Sequence, residues 1–211
     1  MYGIAVPCKC GIASRGMIEG LRKWAELPEG TEGLTFANFS LKGKAADIRL
    51  AFKAAQSFAL RISKYSWLTF SGPPGVGKTH LAIAIIRHRL ETLDPRDLQG
   101  YGKYIFVPDF LDELRATFRD EAQESYESVF GAYKESPLLV LDDLGAESPT
   151  PWVNEKLEQL LDWRYIRRKE TVITLNYGLE RLGDRIADRV ADTREGRSIL
   201  LVMAGTSHRR S

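Results

Sequence analysis

Cysteine is scarce in this chain: among 211 residues only Cys8 and Cys10 are present, separated by a single residue. Such a pair forms a poor intramolecular disulfide, and a cytosolic chain would keep both thiols reduced. A structural zinc site usually takes four ligands, and the three histidines complete no set with these thiols. The pattern favours two free thiols. The alternative is that Pro7–Gly11 forms the second half of a zinc knuckle.

Long apolar runs are also missing. No stretch approaches the ~18 apolar residues that a membrane-spanning helix needs, and Met1–Arg15 has no apolar core of signal-peptide length. We therefore expect a cytoplasmic protein that has no membrane partner. A large excess of one charge is equally absent, because the net charge is only +2. Any contact with nucleic acid must then come from local patches of charge.

The chain does have enough apolar side chains for one substantial core, with 44% hydrophobic residues. A short helix is predicted near Ile18–Glu26 and an amphipathic helix over 44–64. Apolar strands then alternate with helices. The predicted strands are Trp67–Phe70, Tyr104–Val107, Leu138–Leu141, Thr171–Leu175 and Ile199–Val202. The predicted helices are Thr79–Leu90, Phe110–Phe118, Ser125–Lys134, Val153–Arg168 and Leu179–Val190. Strands that are apolar throughout indicate an α/β fold, with a parallel sheet covered by helices on both faces.

A phosphate-binding motif follows the first predicted strand and opens the next helix. It reads Gly72-Pro73-Pro74-Gly75-Val76-Gly77-Lys78-Thr79 and matches G-x-x-x-x-G-K-[ST] in the context that this motif requires. Glycines let the backbone N–H groups form a nest for phosphate, and the helix N-terminus adds partial positive charge. Lys78 would contact the β- and γ-phosphates of ATP, and the Thr79 hydroxyl would coordinate Mg²⁺. The alternative is a plain Gly-Pro turn beside a solvated lysine.

Two carboxylates, Asp142 and Asp143, end the third predicted strand. The carboxyl ends of parallel strands line the ligand crevice of such sheets. We assign Asp142 to Mg²⁺ and Asp143 to positioning or deprotonating the attacking water. The alternative is that both form a turn before Gly145. Many motors carry glutamate at the second position, and aspartate is shorter by one methylene.

Taken together, these residues place the chain close to a known family. From Thr35 to Arg210 it resembles the DnaC/DnaI-type replicative helicase loaders and the related IstB-type transposition ATPases. The segments that carry the resemblance are Leu34–Phe39, the phosphate loop running on into His80–Ala82, Leu141–Gly145 and Gly183–Val190. The resemblance implies a P-loop AAA+ ATPase domain over 36–211, with a five-stranded parallel sheet sandwiched by helices. A short segment, 1–35, precedes that domain, and His80 extends the nucleotide site.

The resemblance also implies roles for residues late in the chain. Asn176 resembles the sensor 1 residue that contacts the γ-phosphate or the attacking water; the alternative is a turn residue. Arg189 resembles an arginine finger that reaches the ATP of a neighbouring subunit, and Arg185, four residues earlier on the same face, could share that role. For both, the alternative is a solvated helix face paired with aspartates of the same helix. Arg209 resembles the sensor 2 arginine.

Four further residues fall where the family places contacts to single-stranded DNA. They are Arg115 and Phe118 in one helix, and Thr150 and Trp152 after the strand that ends in Asp142 and Asp143. Stacking of aromatic rings on bases, combined with neutralisation of phosphates, holds single strands without reading their sequence. The alternative is that Phe118 is a core residue and Trp152 a packing residue at the start of a helix.

The resemblance implies an ATPase that self-associates into a ring or spiral, binds single-stranded DNA and helps to place a replicative helicase on it. An ATPase that assists a transposase is the alternative partner assignment. A P-loop kinase of a small molecule and an ATP switch without turnover are further alternatives. Loaders carry an N-terminal domain that grips the helicase, whereas about 35 residues precede the domain here. The chain is accordingly expected to be a fragment, to start further upstream, or to have lost that domain.

Overall fold

The computed structural model describes residues 25–92, 102–119, 124–148 and 150–204, together with residues 20, 23 and 122. Five parallel strands form one sheet in the order β2-β3-β4-β1-β5. They are β1 Trp67–Ser71, β2 Gly102–Phe106, β3 Leu138–Leu144, β4 Glu170–Leu175 and β5 Ser198–Val202. The predicted fold class is confirmed, because the strands are parallel and apolar, and helices cover both faces.

Six helices are described in these ranges. They are α1 Ala46–Ala59, α2 Lys78–Thr92, α3 Val107–Ala116, α4 Tyr126–Glu135, α5 Pro151–Ile166 and α6 Asp184–Ala191. One core layer packs α1 and α2 on the sheet, and the other packs α3 to α6 on the opposite face. Successive β3 residues divide between the layers, with Val140 in the first and Leu141 in the second. This alternation explains why β3 is apolar at every position.

Several predicted elements have different bounds in the structure: the helix predicted over 44–64 runs from Ala46 to Ala59, and the one predicted over Phe110–Phe118 runs from Val107 to Ala116. The predicted helix over 179–190 is wrong as one element: a 3-10 turn, Leu179–Arg181, is followed by an extended Leu182, and α6 begins only after Gly183. Leu182 lies between these two helical segments, and its side chain packs over Gly145, which directly follows β3. The second predicted strand ends one residue early, because Val107 already begins α3, with proline in its first turn.

The described part of the N-terminal segment packs against the domain. Ala25 and Leu27 are buried in the same core layer as α1 and α2, and the Ala25 carbonyl accepts a hydrogen bond of 2.8 Å from the backbone N–H of Tyr104 on β2. The predicted boundary at 35/36 stays a prediction. The predicted helix Ile18–Glu26 lies mostly outside the described residues, as do Cys8, Cys10 and the predicted zinc half-knuckle.

A completely buried arginine joins the second core layer to the sheet. Arg164 on α5 has no solvent exposure. Its guanidinium donates to the Thr171 hydroxyl at 3.0 Å. It also donates at 2.6–3.1 Å to the backbone oxygens of Tyr133, Lys134, Ser136 and Glu170. Burial lowers the pKa of Arg164 to about 9, so the group remains charged at neutral pH and satisfies carbonyls at the end of α4.

No helix in the described ranges is both long enough and apolar enough to span a membrane.

Candidate functional site

The phosphate loop, residues 72–77, connects β1 to α2 as the sequence predicts. Gly72 has φ +151°, and a Cβ there would lie 2.1 Å from the Met203 carbonyl oxygen. Gly77 has φ +109°, and a Cβ there would lie 2.7 Å from a ring carbon of Phe39. Both positions therefore require glycine for conformation and for space. Only a loop without side chains at these points fits between β5 and the segment that contains Phe39.

The lysine of the motif points back into its own loop. Lys78 is buried, and its Nζ donates to the carbonyl oxygens of Gly72 at 2.7 Å and Pro73 at 2.9 Å. Its positive charge is thereby held at the mouth of the nest, beside the N-terminus of α2. A phosphate group at this point would meet a full charge, backbone N–H donors and the partial charge of the helix end.

Asp142 at the end of β3 is held by three hydroxyl groups. Thr79 and Thr174 donate to its Oδ1 at 3.0 and 2.6 Å, and Tyr104 donates to its Oδ2 at 2.7 Å. Burial, followed by the charge of Asp142 and the hydrogen bond to it, raises the pKa of Tyr104 well above its usual range. The phenol therefore remains a donor at any physiological pH. These contacts fix the carboxylate beside the Thr79 hydroxyl.

Asp143 takes a different direction from Asp142 because β3 is irregular there. The pairing of β3 with β4 shifts between Leu141 and Leu144, and Asp143 has a left-handed φ of +63°. Its backbone N–H donates to Thr174 Oγ1 at 2.9 Å, and its carboxylate accepts a hydrogen bond from Asn176 Nδ2. Bulges of this kind re-aim side chains next to active sites. Asp143 and Asn176, predicted separately as site residues, are thus brought together.

One cavity of about 720 Å³ contains these groups. Beyond the loop and both aspartates, Asn176 and the N-terminal residues Pro28, Thr31 and Leu34 line it. The predicted His80 also lines it and contacts the Thr35 carbonyl oxygen through Nε2 at 2.8 Å. The volume matches that of cavities that bind small molecules and cofactors. Residues 28–34 therefore form part of the wall of the cleft that the motif opens.

The oxygen donors suit Mg²⁺. Among the described residues no group of three or more His, Cys, Asp or Glu side chains could hold a metal ion. Mg²⁺ usually takes one or two protein oxygens and completes its shell with phosphates and water. The Thr79 hydroxyl donates a hydrogen bond to Asp142, so the lone pairs on its oxygen remain available for such an ion.

The two arginines of α6 lie together, away from the aspartates of their own helix. Arg189 Nε donates to Asp162 Oδ1 at 2.9 Å, and Arg185 contacts Asp162 Oδ2. The ion pairs of both arginines therefore reach α5 and not Asp184 or Asp188. The finger assignment itself stays a prediction. Arg209 lies outside the described residues.

Three of the four residues predicted to contact DNA, Arg115, Phe118 and Trp152, lie together. Phe118 is 62% exposed and is therefore not a core residue. Its ring contacts Trp152, with 6.4 Å between ring centroids, and the Arg115 guanidinium lies 5.2 Å from the Trp152 centroid. Trp152 itself is half-buried and packs on the second core layer. Thr150 caps α5, accepting a hydrogen bond from the Val153 N–H at 3.2 Å.

Several contributors to these sites were missed by reasoning from sequence. Tyr104 and Thr174 hold Asp142, Asp162 holds both arginines, and Tyr126 extends the aromatic patch by packing on Phe118, with centroids 5.5 Å apart. Thr174 carries a signal in hindsight, as a hydroxyl in an otherwise apolar strand end. The others carry none, because their partners lie on elements whose proximity no local pattern indicates.

Comparison with known proteins agrees with this geometry. The family model described as "IstB-like ATP binding protein" matches residues 15–194. The replicative helicase loader DnaC of Escherichia coli (strain K12) is 30% identical over 145 residues, which cover 66% of this chain and 55% of that protein. The chain thus spans about half the length of this curated relative.

Solved structures give the same fold. The crystal structure of the DnaC helicase loader matches with a TM-score of 0.63 and 28% identity, over 83% of this chain and 99% of that one. A putative primosome component from Streptococcus pyogenes serotype M3 matches with a TM-score of 0.67 over 92% of this chain and 98% of that one. At 20% identity, this second likeness is one of fold alone.

Proposed function

Because the chain belongs to the family of IstB-like ATP-binding proteins, we propose that it is an AAA+ ATPase that hydrolyses ATP with Mg²⁺ and acts as a replicative helicase loader on single-stranded DNA. One observation carries the proposal most directly. A single cavity joins the Lys78 loop to Thr79, Asp142, Asp143 and Asn176. Those groups are what nucleotide binding and hydrolysis require, and they stand in a chain similar to the DnaC loader.

The chemistry divides among these residues. Lys78 and the loop amides bind the phosphates, and Thr79 with Asp142 would hold Mg²⁺, which neutralises charge developing on the phosphates. Asp143 accepts a proton from, or orients, the attacking water, and Asn176 holds that carboxylate in place. Arg189 completes the site of an adjacent subunit, so the active form is a self-associated ring or spiral.

Single-stranded DNA binds at the patch of Arg115, Phe118, Tyr126 and Trp152. The exposed Phe118 ring offers a stacking surface, and Arg115 supplies a charge for phosphate. Thr150 borders this patch at the start of α5. The helicase partner is proposed from the likeness to DnaC. A transposase partner is the second candidate, favoured by the family description, and pull-downs with each partner would separate the two.

We expect labelled single-stranded DNA to bind the purified chain in the presence of ATP and more weakly with ADP or without nucleotide. Lys78→Ala should lower ATP affinity about 100-fold, because it removes the buried positive charge that contacts the phosphates. It should also abolish ATP-dependent DNA binding. Fluorescence anisotropy measures both. Lys53→Ala, an exposed lysine on α1, is the matched control and should change neither.

The same assay locates the DNA. Phe118→Ala should weaken DNA binding about tenfold while ATP affinity is kept, because stacking contributes about 1–3 kcal/mol per base. Leu50→Ala serves as a control, because this apolar side chain is 58% exposed but lies on α1, on the opposite face of the sheet. If the wild-type chain binds no DNA in any nucleotide state, the DNA part of the proposal is wrong. If Phe118→Ala binds normally, the patch is not the site.

Tyr104→Phe tests how Asp142 is held for Mg²⁺. Removing the phenol leaves Asp142 Oδ2 without this donor, and second-shell losses typically weaken metal binding about tenfold or more. We expect the Mg²⁺ concentration that half-saturates ATP binding to rise about tenfold, with Mg²⁺-free ATP binding unchanged. Titration calorimetry measures both. Tyr133→Phe, a buried tyrosine bonded to Glu26 and Glu113 instead, should leave the midpoint in place. An unchanged midpoint in Tyr104→Phe would contradict the assignment.

A further inference from the structure

One carboxylate on α5 holds both arginines of α6. The Asp162 side chain is only 15% exposed, whereas Arg185 is 59% and Arg189 27% exposed. Arginines four residues apart on one helix face repel each other. Asp162 relieves this repulsion and ties both side chains to a helix that packs in the core.

The two arginines are held through different atoms. Arg185 contacts Asp162 through a terminal nitrogen, Nη2, but Arg189 does so through Nε. The Arg189 guanidinium also lies 4.4 Å from the centroid of the Tyr165 ring. Within the part of the chain that the structure describes, Nη1 and Nη2 of Arg189 make no hydrogen bond. Arg189 is therefore held through Nε, while its two terminal nitrogens make no hydrogen bond to the described residues.

The contact of Arg189 with Asp162 lies far from the chain's own nucleotide cleft. Helix α5 starts at Pro151, after β3 leaves the carboxyl edge of the sheet, and returns toward the opposite edge before β4. Asp162 lies eleven residues beyond Pro151, which is about 16 Å along a helix. Two parallel N–H donors of a guanidinium match a phosphate geometrically. Arg189 thus presents a phosphate-binding group away from its own site.

We infer that Asp162 is the positioning residue of the arginine finger, and that it selects Arg189 over Arg185 by binding Arg189 only through Nε. The inference rests on the proposed function, in which ATP is hydrolysed between subunits. Asp162 itself touches no nucleotide. Its role is to hold the Arg189 guanidinium in the orientation that a neighbouring γ-phosphate needs.

Asp162→Asn tests this role by removing the charge at constant size. We expect turnover at saturating ATP to fall about 10- to 100-fold while ATP affinity is unchanged, against about a 1,000-fold fall for Arg189→Ala. Asp162→Glu, which restores the charge, should recover part of the turnover. Glu158→Gln, one turn earlier on α5 and unpaired with either arginine among the described contacts, should behave as wild type.

Assemblies mixed from two variants distinguish a loss of Arg189 positioning from a general structural defect of the Asp162→Asn chain. Asp162→Asn keeps an intact nucleotide site, and Lys78→Ala keeps an intact finger, so mixed assemblies should regain turnover. A mixture of Asp162→Asn with Arg189→Ala has no wild-type finger in any subunit and should turn over no faster than Asp162→Asn alone. A purely structural defect in Asp162→Asn would not be rescued by the Lys78→Ala chain.

Normal turnover in Arg189→Ala would overturn the shared site of the proposed function. A defective Arg189→Ala with a normal Asp162→Asn would overturn only the role of Asp162. Loss of ATP affinity in Asp162→Asn, or no recovery on mixing with Lys78→Ala, would also overturn it.

Discussion

Replacing Arg164 by alanine is expected to lower the free energy of unfolding by about 3–5 kcal/mol. The substitution removes the donor to Thr171 and to four backbone oxygens. Those carbonyls would stay buried without this donor, and a cavity would open between α5 and the sheet. Urea unfolding followed by circular dichroism measures the change, and the melting temperature should fall by roughly 10 °C.

Arg49→Ala is the matched control, because Arg49 is exposed on α1 and such substitutions usually change stability by less than about 1 kcal/mol. If Arg164→Ala unfolds at the urea concentration of wild type, the guanidinium contacts contribute little net stability. That result would also mean that the carbonyls find water in the mutant.

Asp143→Asn is expected to lower ATP turnover about 10²–10⁴-fold, the usual contribution of a general base, while ATP affinity stays close to that of wild type. Asparagine tolerates the left-handed conformation that Asp143 adopts at φ +63°, so the bulge in β3 should persist. The amide cannot accept a proton from water. Single-turnover hydrolysis, measured beside equilibrium binding of ATP, separates the two effects.

Asp109→Asn supplies the comparison for this variant. Asp109 lines the same cavity, yet it belongs to α3 and contacts neither Thr79 nor Asn176 in the described hydrogen bonds. It should retain turnover near the wild-type value. Equal losses in both variants would indicate a general effect of cavity charge and would contradict a specific role for Asp143.

The sequence predicts the fold well wherever an element is buried on both of its faces. Strands such as β3 face a core layer on each side, so they appear as unbroken apolar blocks. The break at Leu182 and Gly183 could not be predicted in the same way, because helical spacing of apolar residues continues from Leu179 to Val190. What ends the first turn is the packing of Leu182 over Gly145, a contact between segments 37 residues apart in sequence.

The same distinction applies to the candidate site: residues that are contiguous in sequence could be predicted, whereas residues that meet across strands and helices could not. The phosphate loop is contiguous in sequence, so its motif alone predicts its position between β1 and α2. Tyr104, Thr174 and Asp162 act across strands and helices. Thr174 reaches Asp142 because β4 lies between β3 and β1, and that strand order is a property of the whole sheet. Local spacing contains no information about it.

The ring of Phe39 fills the space that a side chain at Gly77 would need. It also meets the His80 ring edge-on, with centroids 5.0 Å apart. The two positions therefore constrain each other: a side chain at residue 77 would fit only if the ring at residue 39 were smaller or displaced.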